Sequence, residues 1–184
     1  SRKYSKVIVD VFSDDNAYIH YYTHLESIKD SVQHLEVKHD VPSKFLTLCP
    51  NLKTLILNEF GLKDEIEENF EHPKWKLDVL KLKPHNRTKT KSIFKIFQKS
   101  TIKRFVFKGS EEIKQEEVSN LKKFLTHHHE LEELDLGFTE NGEKLFEDDT
   151  LCHVKFRLKS LALHTEVTEH FRKFLALHKD TLEH

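Results

Sequence analysis

The chain has no methionine, one tryptophan, two cysteines, four prolines and four glycines in 184 residues. Each shortage excludes something. No apolar run approaches the roughly 18 residues that a membrane-spanning helix needs. Four glycines leave no glycine-rich phosphate loop. The two cysteines, Cys49 and Cys152, stand 103 residues apart (152 − 49). They fall in different units of the repeat set out below. Stacked repeats touch only their neighbours, so the two are not expected to meet as a disulfide. Such usage suits a reducing compartment, cytoplasmic or nuclear. An excess of charge is missing too: 30 Lys and Arg against 31 Asp and Glu leave a net charge of −1. Global charge therefore gives no argument for nucleic acid or an anionic membrane. No signal peptide or targeting segment is visible. With no methionine at the start, the expectation is that a start was removed or that the chain is part of something longer.

What is present is a soluble, globular composition, with 37% hydrophobic and 33% charged residues. The length suits one domain, 1–184, with a continuous core. Self-similarity organises it. Four apolar triplets fit L-x-x-L-x-L: Leu52/Leu55/Leu57, Leu77/Leu80/Leu82, Leu131/Leu134/Leu136 and Leu158/Leu161/Leu163. Val32/Leu35/Val37 and Ile102/Phe105/Phe107 fit with apolar substitutes, and Tyr4/Val7/Val9 makes a seventh. From Val7 through Leu35, Leu55, Leu80, Phe105 and Leu134 to Leu161 the steps are 28, 20, 25, 25, 29 and 27. These steps lie within or at the edge of the 20–29 residues of a leucine-rich repeat.

Alternate side chains of a strand point to opposite faces, so the last two apolar positions of each triplet enter one core. Seven such strands stacked in parallel, at roughly 4.8 Å each, would make a ladder about 30 Å long. Parallel strands need crossovers, usually helical. Apolar stripes at helical spacing supply them: Val118, Leu121, Phe124 and Leu125; Leu62, Ile66 and Phe70; Val167, Phe171, Phe174 and Leu175; and Ile93, Phe94, Ile96 and Phe97. Asp14 or Asp15 would cap a first helix carrying Ile19, Tyr22, Leu25 and Ile28, and Pro42 suits the first turn of a shorter one. The stretch from Gly142 to Phe156 is the least regular. Leu121-Lys122-Lys123-Phe124-Leu125 aligns with Phe171-Arg172-Lys173-Phe174-Leu175, which places the start of a further strand at Leu182. An array that stops inside a strand implies that more repeats, or another domain, follow.

The stretches Leu48-Cys49-Pro50-Asn51-Leu52-Lys53-Thr54-Leu55 and His129-Glu130-Leu131-Glu132-Glu133-Leu134-Asp135-Leu136 resemble leucine-rich-repeat proteins, and the resemblance covers nearly the whole chain. It implies an α/β fold: a curved solenoid with a parallel β-sheet on its concave face and irregular helices on its convex face. The helical crossovers of uneven length are similar to the repeats of F-box/leucine-rich-repeat ubiquitin-ligase substrate receptors. In that family the F-box docks on the ligase adaptor and the repeats hold the substrate. No F-box is visible before Ser1, so an adaptor would be met through a segment absent here. The regular asparagine ladder of many such repeats is also missing. Its positions hold Asp40, Phe60, His85, Ser110, Thr139 and Glu166, so each turn must be satisfied individually.

A protein partner would meet the concave strand positions. In order, the central ones are Glu36, Ile56, Lys81, Val106, Asp135 and Ala162, flanked by His34, Lys38, Asn58, Lys83, Arg104, Lys108, Glu133 and His164. Lys81, Lys83, Arg104 and Lys108 form a basic strip on two adjacent strands, and Glu133 and Asp135 make the next strand acidic. Ile56 and Val106 are expected as exposed aliphatics. Such a mixed surface fits a protein-binding face, with charge setting orientation. It fits equally a solvated sheet with cross-strand charge pairing.

Other chemistry is thinly represented. There are 14 histidines. His20 and His24 have metal-ligand spacing, but no third ligand lies nearby. His127-His128-His129 falls at a helix end, where histidine suits the dipole and the free carbonyls. Surface or structural roles are expected for all of these, and no metal or cofactor. The acidic pairs Glu111-Glu112, Glu67-Glu68 and Asp148-Asp149 lack the opposed environments of an acid–base pair. Two other functional readings remain beside the receptor arm. A secreted recognition protein would carry glycan at the sequon Asn86-Arg87-Thr88, a triplet that also occurs by chance. A nucleic-acid binder using the basic strip would show steep salt dependence.

Overall fold

The computed structural model describes residues 6–10, 15–60, 62, 66, 70–84, 90–109, 115–138, 142–164 and 167–183; the side chains of 15–18, 60, 84 and 90–92 lie outside that description. Seven short strands recur at the intervals of the triplets. They are β1 (Lys6–Val9), β2 (His34–Val37), β3 (Thr54–Phe60), β4 (Lys76–Pro84), β5 (Thr101–Lys108), β6 (Glu133–Gly137) and β7 (Ser160–His164). They form one sheet, parallel throughout, in the order β1-β2-β3-β4-β5-β6-β7.

Register follows the triplets. Val7, Leu35, Leu55, Leu80, Phe105, Leu134 and Leu161 are hydrogen-bonded neighbours in one row. Val9, Val37, Leu57, Leu82, Phe107, Leu136 and Leu163 make a second row, two residues on. A one-residue slip in any strand would turn its leucines to the opposite face, so core burial itself pins the register. β3 breaks step at its end, where the register shifts between Asn58 and Phe60. Glu59 there has φ 49°, a left-handed conformation that L residues adopt at a cost of roughly 1–2 kcal/mol.

Among the described residues, the core lies between one face of the sheet and five helices: α1 (Asp15–Ile28), α2 (Ser43–Thr47), α3 (Thr90–Ile96), α4 (Gln115–His127) and α5 (Glu169–His178). The α3 and α4 stripes hold, with Ile93, Phe94, Ile96, Phe97, Val118, Leu121, Phe124 and Leu125 all buried. Among the described side chains of α1, Leu25 alone is fully buried, and Ile19 is 59% exposed, contrary to its place in the expected stripe. Each step of three residues rotates about 60° short of a full turn, so Ile19 stands about 120° from Leu25. Val167 also departs from its stripe. It precedes α5, whose cap is Thr168: the Phe171 amide donates to Thr168 Oγ1 at 3.1 Å. Val167 is 59% exposed. Pro42 sits at the N-cap of α2, one residue before its first turn.

Leu62 forms a parallel bridge to Val41, and Leu62, Ile66 and Phe70 pack against the core without helical structure at any of the three. The irregular stretch resolves into two 3-10 turns, Gly142–Phe146 and Leu151–His153, which lie between α4 and α5 and bury Leu145, Phe146 and Leu151. A backbone ladder precedes the strands: Lys53 N to Gln33 O, Asp78 N to Lys53 O, Glu132 N to Lys103 O and Lys159 N to Glu132 O, at 2.7–2.8 Å. Glu183 N continues it to Lys159 O at 2.7 Å, which puts Leu182-Glu183 in line with Leu158-Lys159.

Candidate interaction face of the sheet

Because side chains alternate, the residues between the buried rows share the opposite face. The register sets Glu36, Ile56, Lys81, Val106, Asp135 and Ala162 side by side in one row, as the triplets predict. Arg104 and Glu133 are partners in the row beside it, and Asn58 pairs with Lys83.

The charges on this face are largely spent on one another. Arg104 Nε lies 3.3 Å from Glu133 Oε2, and Lys108 Nζ lies 2.6 Å from Asp135 Oδ1. Lys83 Nζ donates to Glu59 Oε1 at 2.9 Å, and Asn58 Nδ2 donates to Glu36 Oε1 at 3.0 Å. Exposed pairs of this kind contribute about 0–1 kcal/mol each, so their main effect is to cancel local potential. The basic strip and the acidic strand thus meet as cross-strand pairs. Among the described residues Lys81 is the one member of the strip without an ion-pair partner, and its row neighbours are the aliphatics Ile56 and Val106. Glu36 lies apart, four strands from Asp135.

Val106 corrects the expectation of an exposed aliphatic, for it is 5% exposed. It is buried yet stands outside the main core cluster. The Arg104–Glu133 pair lies two residues before it, Lys108 two residues after it, and Asp135 beside it in the row. Long charged side chains cover apolar surface with their stems while the heads stay wet. Gly137 lies against the same lysine: a Cβ there would come within 2.7 Å of Lys108 Cδ, so that side chain would have to shift. Ile56 remains half-buried.

Sequence reasoning passed over a second set of charges. The residue after the first apolar position of each triplet from Leu52 onward, and after Leu182, reads Lys53, Asp78, Lys103, Glu132, Lys159 and Glu183, alternating in sign from rung to rung. Lys103 pairs with Asp78 at 3.2 Å and Lys159 with Glu132 at 3.0 Å. Lys159 holds the Glu132 carboxyl below its ordinary range, and Glu132 raises the Lys159 ammonium in return. The signal was available in the second position of each triplet.

The remaining reactive groups are quiet. Burial pushes the Cys49 thiol up to about 12, and burial raises Cys152 as well. Asp148 is held at about 2, first by its hydrogen bond from Lys122, and His170 lowers Asp149. Both acids shift the same way, downward. His127 Nδ1 donates to the Lys123 carbonyl at 2.7 Å, the helix-end role expected of it. Among the described residues no three ligating side chains gather, and no helix is long and apolar enough to cross a membrane. Asn86, Glu67, Glu68, Glu111, Glu112, Asp14, Tyr4 and the turn positions His85, Ser110, Thr139 and Glu166 fall outside the described residues.

No family model, no curated protein and no solved structure matches the chain, so the comparisons identify neither a leucine-rich-repeat nor an F-box protein.

Proposed function

We propose that the chain is a non-enzymatic protein-binding module. In this reading it is a leucine-rich-repeat solenoid whose partner lies along the sheet face away from the helices. One observation carries it: among the described residues Lys81 has no ion-pair partner, while Lys83, Arg104 and Lys108 around it each face a carboxylate, and Ile56 stands beside it in the row. A partner segment with a carboxylate beside an aliphatic side chain would complete that spot. The paired charges around it would set orientation more than affinity. The thiols of buried Cys49 and half-buried Cys152, both raised in pKa, support a role without nucleophilic chemistry.

Within that class, we favour the substrate-recognition arm of a ubiquitin-ligase receptor. The triplet spacing and the uneven helical crossovers support it, and the adaptor would be met through a segment outside these 184 residues. A nucleic-acid role has less support, because Lys83, Arg104 and Lys108 each already face a carboxylate.

Quantitative affinity purification of the wild type beside Lys81→Glu tests the sheet-face reading. The expected result is loss of specific partner proteins from the variant with unchanged melting. The pair swap Arg104→Glu with Glu133→Arg, which keeps the ion pair, should retain them. Recovery of the same partners by Lys81→Glu would refute a site centred on this face.

A further inference from the structure

β7 ends the sheet, and among the described residues no strand pairs with its far side. Ser160 N donates to Glu132 O at 3.2 Å, so Ser160 and, by alternation, Ala162 and His164 turn their backbone groups towards β6. Leu161 and Leu163 turn theirs to the open side. The same two leucines are only half-buried, whereas Leu134 and Leu136, their neighbours in the two rows, are 2% and 0% exposed. A groove of ≈ 440 Å³ lies beside them, lined further by Phe171 and Leu175 of α5 and by Leu182 and Glu183. Leu182 and Glu183 already belong to the next rung, because Glu183 N donates to Lys159 O at 2.7 Å just as Lys159 N donates to Glu132 O. The first places of an eighth rung are thus taken, and no described residue fills the places beside Ser160–His164.

We propose that this edge takes an extended segment of a partner protein as an eighth parallel strand, a basic residue leading two large apolar residues at alternate positions. An open strand edge is a template for backbone pairing, and pockets beside it read alternate side chains. Leu161 and Leu163 supply both: each offers a free N–H and C=O, and each leaves an apolar place open in its row. The apolar residues of the segment would extend those rows and lie against Phe171 and Leu175. The size fits, since an apolar cavity of about 150 Å³ holds a benzene ring and this groove has room for two such groups. The basic residue answers Glu183, the one charged side chain among the described lining residues. A lipid or a small apolar molecule would fill the groove but leave the backbone edge unmatched. A second copy of the chain fits less well. Its β1 begins at Lys6, and the two residues before it in the sequence would need the places that Leu182 and Glu183 hold. The edge lies three strands from Lys81 and does not rest on the sheet-face reading.

The test is an NMR titration of the full 184-residue chain with a capped pentapeptide of the β5 sequence Arg104–Lys108, which carries a basic residue and then phenylalanines at alternate positions. In register, its phenylalanines would stand beside Leu161 and Leu163, and its valine N–H would donate to Leu161 O. Saturable shifts of the Leu161 and Leu163 amides are expected. The same peptide N-methylated at the valine should bind at least about tenfold more weakly, and so should a peptide of the same composition with its phenylalanines adjacent. Leu175→Lys should weaken binding by about tenfold or more, and Lys81→Glu should leave it unchanged. The comparison of peptides needs no protein variant. Absence of saturable shifts at these amides, equal binding of the N-methylated or rearranged peptide, full affinity in a folded Leu175→Lys chain, or loss of binding in Lys81→Glu would each overturn the proposal. So would shifts of the same amides on concentrating the chain alone, which would seat a second copy there.

Discussion

The helices α4 and α5 carry nearly the same sequence at their centres, and the structure treats them differently. Leu121-Lys122-Lys123-Phe124-Leu125 and Phe171-Arg172-Lys173-Phe174-Leu175 occupy equivalent positions, and in both a buried histidine packs on the phenylalanine four residues earlier. Yet Leu125 is fully buried and Leu175 only partly. Lys122 is 8% exposed and bonded to Asp148 at 2.8 Å, while Arg172 is exposed. The cause is the neighbour. The turns at 142–153 cover the outer side of α4, whereas no described element covers the outer side of α5. An open groove of ≈ 440 Å³ lies there, lined by Leu161, Leu163, Phe171, Leu175 and Leu182. Burial in a stacked fold is a property of the pair of units, not of the unit.

Four measurements would break or sharpen that contrast. The largest effect belongs to the apolar pair: Leu125→Ala should cost about 3 kcal/mol in urea unfolding, and Leu175→Ala half of that or less. Equal costs would mean that α5 is as well packed as α4. Next, Asp148→Ala strands the largely buried Lys122 ammonium and should cost about 1–3 kcal/mol; Lys122→Met in the same background should recover part of it.

The third concerns acid. Burial holds the folded-state pKa of His128 down to about 4 from an ordinary 6.5, and burial lowers His178 and His34 too. A histidine kept neutral by folding takes up its proton in the unfolded chain first. Stability is therefore full above about pH 6.5 and falls as pH drops from there towards 4. His128→Phe should remove on the order of 1 kcal/mol of the loss between pH 6.5 and 5, measured against wild type. An unchanged acid slope would show that His128 is not held neutral. The smallest effect is Arg172→Ala, expected within about 0.5 kcal/mol of wild type, although Lys122→Ala at the equivalent place should be costly. A large loss for Arg172→Ala would place a partner on α5 that the fold does not show.

The repeat was legible because period and triplet agree. Leu35, Leu55, Leu80, Phe105 and Leu134 had to share a row once their steps were read as strand-to-strand intervals, and they do. The face opposite was legible in membership but not in state. Arg104 and Glu133 were readable as residues of adjacent strands. That they close on each other, and that with Lys108 and Asp135 they flank a buried Val106, depends on side-chain geometry that spacing does not encode. Leu62, Ile66 and Phe70 show the limit from the other side. Three-to-four-residue spacing put them against the core, half-buried, but none of the three is helical. His128 was legible as a histidine at a helix end, but not its burial against Phe124, which depends on how the helices pack.

The sequence alone determined the strand count, the parallel order and the rows that enter the core, because each is set by a periodic apolar demand that one chain segment expresses by itself. The tertiary structure alone decided which charges are neutralised and which leucines of equivalent rungs are dry. Those outcomes depend on distances between segments remote in sequence, where a few ångströms separate an ion pair from a free lysine.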